Sequence, residues 1–160
     1  MLTEALVPRV TGQVLAIGGS SGREGPGRRL ATKRDEGDSP GPGLTEVLAG
    51  NVPWDQAIRS TRIERLDVLD GQVARVDGRS DVAAARWAAA LREFRREYQF
   101  VLIDASPADD HPASTIAPWA DATYLMIRQG RTGRGAARRA LRAIRNCGAR
   151  VLGCVVAAST

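Results

Sequence analysis

The 160 residues predict an α/β protein built on a doubly wound, mostly parallel sheet, and three observations carry that expectation. Short apolar runs alternate along the chain with longer segments of helical spacing. The apolar runs are continuous, as strands buried on both faces of a parallel sheet are. One of them, Phe100-Val-Leu-Ile, ends in Asp104. That places a carboxylate at the carboxyl edge of the sheet, where α/β folds bind their ligands.

The elements follow in order. Leu2 to Val7 reads as the tail of a helix stopped near Pro8, and Val14 to Ile17 as a buried strand entering Gly18-Gly19. Residues 18–42 are rich in glycine, proline and charge, so they are expected to bury little and to be mobile. Leu44 to Gly50 is a short helix closed by glycine, and Pro53 to Ser60 reads as a second. Leu66 to Leu69 is a strand. Asp81 is expected to cap a long helix reaching about Tyr98, with Val82, Ala85, Trp87, Ala89, Leu91 and Phe94 as its inner face. Phe100 to Ile103 follows as a strand, then Ala122 to Ile127 as another. A helix over Gly135 to Asn146, stopped at Gly148, leads into a last strand over Val151 to Val156.

Composition narrows the function classes. At 17.1 kDa and 43% hydrophobic the chain suits one globular domain over 1–160, with a core of Val, Leu, Ile and Ala because aromatics are only 4%. The net charge is +5, and Arg128 to Arg150 holds eight arginines without a carboxylate. Such a run meets nucleic acid, anionic lipid or an acidic partner. Without interleaved aromatics it reads first as a solvated helix face, with Arg134, Arg138, Arg142 and Arg145 near one side. Cys147 and Cys154 are too few for a disulfide framework, lack metal-ligand spacing and read as small buried hydrophobes. The first residues lack a basic, apolar leader, and no run approaches the roughly 20 apolar residues of a membrane span. The expectation is a cytoplasmic chain, with peripheral association at the inner face of the plasma membrane left open.

Five segments stand in one order: Gly43 to Gly50, Ile63 to Leu69, the acidic strand to Asp104, Ala120 to Arg128, and Gly148 to Gly153. This series resembles the cytoplasmic kinase domain of bacterial tyrosine kinases (BY-kinases), the capsular exopolysaccharide family within the MinD/ParA-like P-loop NTPases. The resemblance covers about residues 43–157 and, more loosely, 2–19. It implies a P-loop NTPase fold, ATP and Mg²⁺ as cofactors, and autophosphorylation of a tyrosine-rich tail that regulates polysaccharide export beside a membrane co-polymerase. It makes Asp104 the Walker B aspartate, a Mg²⁺ ligand. It sets Arg128 and Thr132 in the nucleotide-side loop after the next strand.

The departures from that family are equally specific. A working phosphate loop needs glycine-rich amides, a lysine and a Ser/Thr, yet no Gly-Lys-Ser/Thr occurs and the sole lysine, Lys33, follows no strand. Two registers fit the N-terminus. In one, Leu2 to Ile17 is the end of the P-loop helix plus the second strand, with Gly18 and Ser20 in place of two aspartates. In the other, Val14 to Ile17 is the P-loop strand and Ser20 to Gly27 a decayed loop. The helix–turn–strand order favours the first. The family's adenine-reading asparagine is replaced by alanine near Ala157, and the only tyrosines, Tyr98 and Tyr124, are expected in core positions.

His111, between Asp110 and Pro112, reads as a loop residue and not a metal ligand, and Ser106 and Ser114 have no evident base. Trp54, Trp87 and Trp119 read as packing residues. Magnitudes weigh against catalysis in cis, because each lost charge-assisted hydrogen bond is worth about 1.5–3 kcal/mol. The expected function is therefore a degenerate, non-catalytic kinase-domain homologue acting by protein contact. Its expected partner is a polysaccharide co-polymerase or a full-length BY-kinase. The alternatives are a site completed in trans and a ParA-like nucleic-acid module, the latter less favoured.

Overall fold

The computed structural model describes residues 7–18, 42–71, 81–105 and 116–158, with the side chains of 81–84 outside the description. Several expectations therefore lie outside the described residues: the helix over 2–6, the segment 19–41 with Ser20 and Lys33, and the loop with Ser106, His111 and Ser114. The chain divides into two units, residues 1–105 and 106–160.

The first unit is organised around β1, Val14–Ile17, whose four residues are all buried. It lies between β3, Leu66–Leu69, and β4, Phe100–Ile103, and both pairings are parallel. A two-residue strand β2, Arg59–Ser60, adds to β3 antiparallel, giving the order β2-β3-β1-β4. Apolar side chains on both faces suit a central parallel strand. Val14 and Ala16 join Val7, Leu66 and Val68 in one core cluster. Leu15 and Ile17, on the opposite face by the strand's two-residue period, are buried as well.

Helix α1, Leu44–Ala49, starts where the Glu46 carboxylate accepts the Gly43 N–H at 2.9 Å. It stops at Gly50, whose left-handed backbone (φ 83°) a side chain would disfavour. The expected second helix over Pro53 to Ser60 is only one turn, α2, Trp54–Ala57. Ile58 leaves the helix with ψ 135°, and Arg59 turns into the edge strand, where it pairs with Asp70. Pairing with β3 overrides the local helical pattern.

Helix α3 spans Asp81–Glu97, with Asp81 the first helical residue described. Its inner face is Trp87, Ala90 and Phe94, while Ala85 and Ala89 are exposed. The three buried residues follow the three- and four-residue spacing of one helical side, which the expected Ala85 and Ala89 do not share. Edge-to-face contact of Trp54 with Phe94 at 4.9 Å joins α2 to α3. At the end of α3, the Tyr98 hydroxyl donates to the Asp67 carboxylate of β3 at 3.0 Å.

The second unit is a βαβ arrangement. Strand β5, Thr123–Arg128, pairs in parallel with β6, Val151–Ala157, through the helix α4, Arg134–Asn146. The helix is followed by Gly148 at φ 87°. Ala117, Ile144 and Ala149 pack with Leu125, Cys147 and Val151. The register slips after Thr123, so that Thr123 faces Val151 while Tyr124 faces Gly153, and Leu152 is the extra residue.

Continuous apolar character predicts burial on both faces, and this holds for β1 and β3 but not for the rest. Tyr124, Met126 and Val156 are each about 60% exposed. Tyr124 is thus no core residue, Cys154 is exposed, and Trp119 is 45% exposed instead of packed. The physical reason is sheet size: β5 and β6 form a two-stranded sheet, which covers less than a wide one.

Two outcomes follow for the first unit. Trp87 is 1% exposed, so Trp87→Ala should cost about 3–5 kcal/mol in a denaturant titration. Burial and the Asp67 carboxylate push the Tyr98 phenol well above its ordinary value of 10.0. Its contribution to stability is complete below that value and is lost as pH rises beyond it, because the unfolded phenol ionises first. The unfolding midpoint should fall above pH 10, and Tyr98→Phe should flatten that alkaline limb while lowering stability by about 1 kcal/mol at neutral pH.

Candidate functional site

The parallel registers bring three strand ends level. Ile17 lies beside Leu69 on one side and Ile103 on the other, so Gly18, Asp70 and Asp104 succeed them at one edge. Backbone bonds hold that edge: the Asp104 N–H donates to Ile17 at 2.8 Å and the Gly18 N–H to Leu69 at 3.1 Å. The Leu44 N–H, at the start of α1, donates to Asp70 at 2.7 Å.

Gly18 is required here. Its φ is +116°, and a Cβ would lie 2.6 Å from the backbone oxygen of Asp104. The Asp70 carboxylate is committed to the Arg59 guanidinium, both partly exposed. Asp104 is exposed, and its carboxylate has no partner among the described residues. The edge therefore presents one free carboxylate and one neutralised one.

Arg128, the last residue of β5, and Thr132, in the loop after it, lie together in the second unit. The Thr132 hydroxyl accepts the Arg128 N–H at 3.1 Å, and the Thr132 N–H returns to the Arg128 carbonyl at 2.9 Å. Gly130 takes the turn at φ +75°. The hydroxyl is thereby used in closing its own turn, whereas the Arg128 side chain is solvent-exposed.

Chemically, Asp104 is one oxygen-donor ligand. Mg²⁺ accepts one or two carboxylates when phosphates and water complete its shell, so phosphate-binding groups decide the fit. No lysine stands among the described residues, and none of them form a cluster of three metal-ligating side chains. Among the described residues this edge therefore offers a carboxylate to a cation and no lysine to a phosphate. Two shallow clefts lie elsewhere, one against Val52, Trp54 and Arg86 and the other against Trp54, Arg92 and Arg96. No helix among the described residues is long and apolar enough to cross a membrane.

A basic surface also emerges. On α4, Arg134, Arg138, Arg142 and Arg145 are exposed, as is Arg139, and none makes an ion pair with a described residue. At 100° per residue the first four fall within about 80° of arc. The spacing of these arginines was legible in the sequence. The Arg59–Asp70 pair and the close approach at Gly18 were not, because the first depends on the turn of β2 back onto β3 and the second joins Gly18 to the distant Asp104; only Asp70-Gly71 after an apolar run hinted at a strand end.

No protein-family model matches the sequence, and no curated relative matches it. Solved structures do match by shape. The kinase domain of the Escherichia coli tyrosine kinase ETK aligns at TM-score 0.78 and 19% identity over 96% of this chain and 58% of its own. The BceF tyrosine kinase domain aligns at 0.67 and 24%, over 94% and 58%. The MinD cell division protein of Aquifex aeolicus aligns at 0.63 and 15%, over 96% and 59%. This chain thus spans under two thirds of the length of these three domains. With its mostly parallel sheet, it has the P-loop NTPase fold of the BY-kinase and MinD-type domains.

Proposed function

We propose that this chain is a degenerate, non-catalytic homologue of the tyrosine-protein kinase domain that regulates exopolysaccharide or capsule biosynthesis, and that it acts by protein contact. The observation that carries the reading is the strand-end edge, where the Asp104 carboxylate stands without a partner and without a lysine among the described residues. An anionic triphosphate gains nothing from such an edge unless cations offset its charge. The full sequence contains no Gly-Lys-Ser/Thr. The shared fold supports the kinase-domain kinship, and the intact parallel core supports a chain kept for its surfaces. Asp104, Arg128 and Thr132 are then relics of a nucleotide site.

Isothermal titration of the 160-residue chain with Mg-ATP should give no heat at micromolar protein, and a micromolar Kd would overturn the reading. Mixing the chain with an active kinase domain separates contact from a site completed in trans. Contact alone predicts that Asp104→Asn leaves any change in the partner's turnover intact, and a site completed in trans predicts that it abolishes the change.

A second reading rests on the arginine face of α4, which would meet a regularly spaced polyanion such as the backbone of duplex nucleic acid. A gel-shift series would then show affinity falling with salt at a log–log slope of about −3 to −4 if four phosphates are neutralised. Arg138→Glu with Arg142→Glu should remove it.

A further inference from the structure

We draw no further inference here: the strongest candidate, the shallow cleft beside Trp54 bordered by Ala89, Arg92, Glu93 and Arg96 of α3, has its Arg96 already paired with Glu93, and nothing in the structure shows what covers it.

Discussion

Everything described in the first unit hangs on the insertion of β1 between β3 and β4. Val14, Leu15 and Ile17 are at most 1% exposed, and burial of each such side chain is worth about 1.5–3 kcal/mol. The same parallel registers that bury them also bring Gly18, Asp70 and Asp104 level at one edge. Stability and site are thus consequences of one pairing. Because β1 reaches its partners across 48 and 82 residues of chain, counted from Leu66 and Phe100 at their ends, the pairing is non-local and every loop between them has to close before it is rewarded.

Around that strand the helices are fastened by few, identifiable contacts. Trp54 against Phe94, and the Tyr98 hydroxyl on Asp67, tie α2 and the end of α3 to the unit. The buried indole N–H of Trp87 finds no partner among the described residues, so that side chain holds its place by packing alone. Polar bonds then orient elements that apolar burial has already gathered.

The fold's likeness to the solved kinase and MinD domains is compatible with a strand-end edge that offers one unpartnered carboxylate among the described residues. A sheet's core depends on apolar volume and register, whereas phosphate binding depends on a few donors held at its margin. The second set can be lost without disturbing the first. Among the described residues the most strongly charged surface is the exposed arginine face of α4, which stands apart from both cores.

By itself, the sequence determined the periodic and the local. Apolar runs marked β1, β3, β4, β5 and β6, glycines marked the ends of α1 and α4, and the aspartate ending the β4 run marked the ligand edge. Arginine spacing marked the basic side of α4. Tertiary structure alone decided that Arg59 joins a strand instead of ending a helix, that Ala90 rather than Ala89 is buried, that Tyr124 and Cys154 are exposed, and that Asp70 is neutralised while Asp104 is not. The reason is physical: hydrophobic period and turn chemistry act within a few residues and can be read along the chain. Pairing partners, sheet width and charge neutralisation depend on residues brought together from afar, which no local pattern encodes.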